Sequence, residues 1–282
     1  MAMRSAHGIR HYSKVFLYLF FLLFAALIFF PFLWMILGSF KTTRELFAVP
    51  MDFWPQEWRL LNYQEAMLAQ PFGHYLVNSL IVSGFSTVIV VITASLASYS
   101  VTRTAIHGKK LILIIVLTVA LLPPVTLINP IYQMLSKLKL LNTRSGLSFV
   151  LAAVEMPTAI WLMTSYFQSV PFELEESAML DGASIPRTFI SIMLPLVAPG
   201  IFTVCIMNFI TAWNNYIFAS ILNQHTTART VPVALTMFET ESYTPWHLIC
   251  AAAVIVSFPL IVIVMLMQRR IVSGILDGSV KG

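Results

Sequence analysis

The sequence predicts an all-α membrane protein of six transmembrane helices, with N- and C-termini cytoplasmic and a cytoplasmic loop between helices 4 and 5. Three observations carry that prediction. Of 282 residues, 58% are hydrophobic and 10% charged, and the mean hydropathy is +0.83; that leaves too little polar surface to cover a soluble globule. The apolar residues fall in runs of roughly 20 or more, the length of helix that crosses a bilayer. Between two of these runs, the block 171–199 places Glu173, Glu175, Glu176 and Asp181 close together, which marks a segment held in water.

In chain order, residues 1–14 carry Arg4, Arg10 and Lys14 ahead of an apolar run over 15–39. A signal peptide has a much shorter apolar region and a small-residue cleavage site, so this run reads as a retained first helix kinked at Pro31. Residues 40–75 form a polar outer loop whose Trp54 and Trp58 suit the boundary between water and lipid. The second span covers 76–102. The third starts at Leu111, breaks near Leu122 at Pro123 and Pro124, and resumes toward Ile131 past Pro130. Over 131–141, Ile131, Leu135 and Leu138 share one face, with Gln133, Lys137 and Lys139 elsewhere, the pattern of an interfacial helix. The fourth span covers 148–167, the fifth 200–222 and the sixth 248–267. The six-helix domain is thus 15–270, with a cytoplasmic tail over 271–282.

Charge sets the orientation. With the N-terminus inside, ten of the 17 Lys and Arg residues fall in inner segments and seven in outer ones. Lys14, Arg103, Lys109, Lys110, Arg269 and Arg270 stand within a few residues of a span, where the positive-inside rule is read. The net charge of +5 and pI near 9.3 therefore point to topology and not to nucleic acid, because the cations are scattered at span ends.

Catalytic signatures are missing. Gly108-Lys109 is followed by Lys110 and forms no phosphate-binding loop, and no H-E-x-x-H, C-x-x-C or G-x-S-x-G occurs. Cys205 and Cys250 sit inside apolar runs as small hydrophobes, with no metal-ligand spacing. The six histidines lie in loops or at span ends.

The block 171–199 reads as two helices with a turn between. Pro171 suits a helix start, and Glu173, Glu175 and Glu176 favour its dipole. Phe172, Glu176, Met179 and Leu180 share one face, Leu174 and Ala178 another, so the helix is gripped from two sides. Gly182 supplies the positive φ that ends it, and Ser184-Ile-Pro186 starts a second helix through Ile192. Pro195 and Pro199 close the block.

Within that block, Glu176, Ala178, Gly182, Ile192, Leu194 and Pro195 stand in the order E-A-A, three residues, G, nine residues, I-x-L-P. The spacing resembles the signature loop of binding-protein-dependent ABC importer permeases, with Ser177 replacing the first alanine. Residues 123–147 resemble the family's carbohydrate branch, of the maltose type. The resemblance implies a permease subunit in the inner membrane that pairs with a second permease and receives its solute from an extracytoplasmic solute-binding protein. Two ATP-binding subunits would hold ATP and Mg, and this chain would bind no cofactor or metal. It also implies that Glu173, Glu176, Ser177, Ala178, Asp181, Gly182, Ile192, Leu194 and Pro195 couple the chain to the ATPase. The solute would be a sugar or oligosaccharide, with a polyol or glycerol phosphate as the alternative. An intramembrane enzyme lacks any motif, and an ion-coupled carrier should show duplicated halves, which are not seen.

Two polar features lie within spans. Glu155 costs about 3 kcal/mol at mid-membrane unless paired, protonated or watered, and reads either as a solute contact or as a structural acid beside Pro157. In the fifth span Asn208, Thr211 and Asn215 recur at helical spacing, with Asn214 and Trp213 beside them. These amides either bond to a neighbouring helix or line a solute path facing Ser79, Ser83 and Ser86.

Overall fold

The computed structural model describes residues 3–239 and 244–279, with side chains for Lys14, 16–239 and 244–266. Every regular element among them is helical: α1 (Met3–Gly38), α2 (Thr43–Leu46), α3 (Leu61–Leu68), α4 (Phe72–Arg103), α5 (Lys109–Ala120), a 3₁₀ turn (Pro124–Leu127), α6 (Ile128–Lys137), α7 (Arg144–Ser169) and α8 (Phe172–Leu180). There follow α9 (Ile185–Thr188), a π turn (Phe189–Met193), α10 (Leu194–Leu196), α11 (Ala198–Trp213), α12 (Ile217–Leu222), α13 (Val231–Thr236) and α14 (Trp246–Ser279). Among the described residues four helices are long and apolar enough to cross a membrane, and six spans result if each of two bent pairs counts as one. The N-terminal segment, from residue 3, is the start of α1. Residues 271–279 of the expected tail continue α14, and 280–282 lie outside the described residues.

The chain divides into two units, residues 1–70 with 238–255, and residues 71–237 with 256–282. In the first, α1 exposes its apolar side chains from Phe16 to Leu33, as a helix facing lipid or another chain does. Beyond it the loop is tightly built. Lys41 is fully buried, lies over Trp34 and donates to the Asp52 carbonyl at 2.5 Å. Asn62 donates to the Ser39 and Lys41 carbonyls. Thr42 and Glu45 cap α2 reciprocally.

The second unit is a bundle in which α4, α7 and α11 pack on one another. Its core gathers Val90, Ala94, Ala159, Met163, Phe167 and Val204. Lipid is as apolar as these side chains, so burial alone does not hold such helices together; close packing and interhelical hydrogen bonds do. The sequence of α4 supplies both. Ser79, Ser83, Ser86, Ser95 and Ser98 are all buried. Ser98 donates to the Ile160 carbonyl, Ser148 of α7 donates to the Val82 carbonyl, and Ser79 accepts from the Val231 amide.

Two spans and the loop's second helix differ from the sequence reading. The third breaks after Ala120, and its two halves meet at 91°. It resumes through the 3₁₀ turn, and Pro130 sits in the first turn of α6 and causes no second break, since a proline there surrenders no helical hydrogen bond. The loop's second helix does not stop at Ile192 but widens into the π turn and runs on through Pro195, then bends by 75° into α11. The fifth span ends at Trp213, because Asn215 accepts the Phe218 amide and starts α12 afresh.

Candidate functional site

The loop helix α8 is built from a nine-residue segment too short to be stable alone, so what fixes its ends matters. It begins after Pro171 and ends in a Schellman turn: the Ala183 amide donates to the Ala178 carbonyl and the Gly182 amide to Met179, both at 3.0 Å. Gly182 has φ +83, a conformation that costs glycine nothing. The expected turn is therefore present at the expected residue.

The face turned inward differs from the one read in the sequence. Only Glu175 and Ala178 are buried in α8, whereas Phe172, Leu174, Met179 and Leu180 are exposed. Glu175 reaches the end of α4, where its carboxylate accepts from the Tyr99 hydroxyl and lies 3.6 Å from Nε of Arg103. Arg103 also donates to the carbonyls of Phe167 at 2.7 Å and Val170 at 2.5 Å, and its guanidinium stands 4.1 Å from the centre of the Phe172 ring. These carbonyls belong to the last turn of α7 and its exit, where helix groups lack partners and a cation is favoured. Glu175, Arg103 and Tyr99 were missed as site residues. Arg103 was legible only as a span-end cation, and nothing separated Glu175 from its acidic neighbours.

Most of the motif residues form the opposite, open side. Glu173, Glu176, Ser177, Asp181, Gly182 and Pro195 are exposed, Ile192 and Leu194 half-buried and Ala178 buried. A concavity of about 450 Å³ is lined by Leu174, Ser177, Ala178, Asp181, Ile192 and Pro195 among others, so both halves of the motif meet there although some ten residues separate them in sequence. Leu180, Ile185 and Ile190 of the same loop are also exposed. An exposed rim that joins apolar and acidic side chains in this way is uncommon on a surface that meets only water.

The polar residues within spans fall into two groups. Glu155, Asn208 and Thr211 line one groove between α7 and α11, with Thr158 and Met207, enclosing about 40 Å³, room for a water molecule. Asn208 is 3% exposed. Its amide donates to the Thr87 hydroxyl at 2.9 Å and lies 3.4 Å from the Ser86 hydroxyl, while its carbonyl oxygen has no partner among the described residues. Thr211 is exposed and bonds back to the Met207 carbonyl. The rest stand apart: Asn214 is exposed beyond the end of α11, Asn215 accepts the Phe218 amide just ahead of α12, and Trp213 is buried against Phe209. Ser83 is fully buried in the helix interface, as are Ser79 and Ser86, so these serines do not stand on an open surface within this chain.

Comparison with known proteins agrees with the loop. Residues 106–277 match the family described as binding-protein-dependent transport system inner membrane component. The chain is 33% identical over 253 residues to the sulfoquinovosyl glycerol transport system permease protein of Agrobacterium fabrum, across 90% of this chain and 89% of that one. It is 37% identical over 265 residues to the trehalose/maltose transport system permease protein of Thermococcus litoralis, across 93% and 94%. Among solved structures it is similar to a chain of a bacterial ABC transporter involved in the import of the acidic polysaccharide alginate. The TM-score is 0.80 at 20% identity, covering 95% of this chain and 98% of that one, a likeness of fold. The matched region contains the loop, the concavity and the groove alike, and the chain belongs to the binding-protein-dependent transport system inner membrane components, multi-pass permease subunits that are not themselves enzymes.

Proposed function

We propose that this chain is one permease of an ATP-driven importer of a sugar or oligosaccharide, embedded in the cytoplasmic membrane by six spans over 15–270. Both termini, 1–14 and 271–282, face the cytoplasm. A second, similar permease completes the path, two ATP-binding subunits supply ATP and Mg chemistry, and an extracytoplasmic solute-binding protein delivers the solute. The named solutes of the relatives, trehalose/maltose and sulfoquinovosyl glycerol, support a carbohydrate.

One observation carries the coupling part of this reading. The loop 171–199 presents Glu173, Glu176, Ser177, Asp181, Gly182 and Pro195 outward while Ala178, Ile192 and Leu194 back them, around an open concavity of about 450 Å³. Docked there, an ATPase that closes on ATP pushes α8, and the spans change from inward- to outward-facing. The solute path runs past Glu155, Asn208 and Thr211, with Asn214 and Asn215 at its outer end and Trp213 and Ser83 packed behind. Acceptors and donors held in a narrow groove suit a polyhydroxylated solute.

The experiment is to introduce Glu176→Lys, Gly182→Asp and Ala178→Asp singly. Each is expected to leave the chain inserted while the ATPase no longer copurifies, or is no longer stimulated by the loaded binding protein. Normal transport in all three would end the coupling assignment.

A further inference from the structure

We infer that Arg103, Tyr99 and Glu175 form an internal strut that makes α8 move as one body with the end of α4, and so keeps the ATPase from closing unless the spans move with it. The inference rests on the coupling role proposed for the loop. It adds the link by which a push on the open side of α8 reaches the membrane.

Without such a link α8 would be a loose lever. It is tethered to α7 through Val170 and Pro171 and leaves by a glycine turn, and a nine-residue helix between two pivots can rock without dragging a span. The buried cluster removes that freedom. The Arg103 side chain is 1% exposed and that of Glu175 8%. The one guanidinium touches the last turn of α7 and its exit, and both Phe172 and Glu175 in the first turn of α8. Tyr99, one helical turn earlier on α4, holds the second oxygen of the same carboxylate. Its ring packs on Phe167 of α7 at 5.8 Å and on Phe189 of the return segment at 4.9 Å. Four elements therefore meet at three side chains.

Stability alone does not call for charges here, because well-packed apolar residues usually serve as well as a buried ion pair. A carboxylate bonded to a tyrosine hydroxyl, and facing a guanidinium that is itself tied to two carbonyls at the end of α7, instead fixes register and direction, which is what a lever needs. The Nε to Oε2 separation of 3.6 Å exceeds a hydrogen bond, so the pair can tighten when α8 is pressed inward. Glu176, the next residue, is exposed. One acid is left for the partner and its neighbour is committed to the chain's own α4.

The test uses the complete complex of both permeases, ATPase and binding protein in proteoliposomes, with MgATP as the only added probe. Glu175→Gln is expected to leave the ATPase bound and to raise hydrolysis in the absence of solute by about 5- to 10-fold, within the usual span of coupling between sites. Tyr99→Phe, which deletes one hydroxyl, should raise it less. The double variant should show no more than Glu175→Gln alone, because both act on one carboxylate. A structural lesion would lower hydrolysis or shed the ATPase, and either result with Glu175→Gln overturns the strut, as does unchanged hydrolysis. If Glu175→Gln fails to insert, Tyr99→Phe decides on the same readout. Glu176→Lys is run in parallel. If it keeps the ATPase bound and stimulated, the coupling role of the loop has failed, whatever the strut variants show.

Discussion

Replacing Gly146 by alanine tests the packing argument where the geometry is least forgiving. Gly146 lies in the first turn of α7, and a Cβ there would stand 2.2 Å from the Leu140 carbonyl oxygen and 2.9 Å from Oγ1 of Thr143. Relief needs a movement of about 1 Å, since uncrowded contacts lie beyond 3 Å. The Leu140 carbonyl is not free to make it. It accepts from Thr143 at 2.7 Å, its own residue's amide donates to Leu135 at 2.8 Å, and the Asn142 amide is tied to the Leu222 carbonyl at 2.9 Å. Overpacking of this kind costs about 3 kcal/mol, the upper part of its range, and the better helix propensity of alanine returns about 1 kcal/mol. A net loss of about 2 kcal/mol lowers Tm by roughly 4–8 °C in a domain of this size, read from the tryptophan fluorescence of the purified chain. Gly84→Ala is the control, because its Cβ would meet nothing within 4 Å, and it should hold or raise Tm. A Gly146→Ala Tm equal to the wild type, or a Gly84→Ala Tm that falls as far, refutes the reasoning.

Asn208→Leu removes the bond to Thr87 and should cost about 0.6 kcal/mol of bundle stability, the average for interhelical pairs. Uptake should fall much further if the unpartnered carbonyl oxygen faces the solute; uptake equal to wild type assigns Asn208 to helix association alone. Burial of Glu45 raises its carboxyl pKa, but the Thr42 and Gln56 amides, the Thr42 hydroxyl and Lys41 outweigh that and leave it below the usual value. A depressed pKa stabilises the loop above the ordinary carboxylate range, near pH 4.3, and the effect is lost as pH falls through the lowered value. Amide exchange over residues 42–56, corrected for intrinsic rates, should rise on acidification, with no such step in Glu45→Gln. Reporter fusions after Gly282 and within residues 40–75 should report opposite sides of the membrane; the same side for both overturns the orientation.

The features legible in the sequence are those that depend on local chemistry. Long apolar runs locate α1, α4, α7 and α14, and the glycine turn at Gly182 follows from a conformation only glycine adopts cheaply. The break in the third span is visible as Pro123-Pro124, though the 91° bend is not, since a proline says that a helix stops and not where the chain then goes. In the fifth span the even spacing of Asn208, Thr211 and Asn215 suggested one continuous face. Periodicity assumes a helix that persists, and Asn215 is instead where a new helix begins. An asparagine serves equally well as a mid-helix polar group and as an N-cap, so only the tertiary setting decides.

The acids of the loop show the same limit at single-residue scale. Glu175 and Glu176 are adjacent, identical in chemistry and equally favourable near a helix start, yet one is buried and the other exposed. A step of one residue turns the side chain by about 100°, enough to move it from the α4 side to the open side. The sequence carries that angle but not its zero, which is set by where α8 lies against Tyr99 and Arg103. Those two residues lie more than 70 positions earlier, at the far end of a span whose local pattern speaks only of membrane. What the acid does is therefore written in α4, and a residue-by-residue reading of the loop would not find it. The same logic separates the motif positions: Glu176, Ser177, Gly182 and Pro195 are exposed, so their setting does not depend on which of the chain's own helices lies behind them, whereas Ala178 is buried and shares the dependence of Glu175.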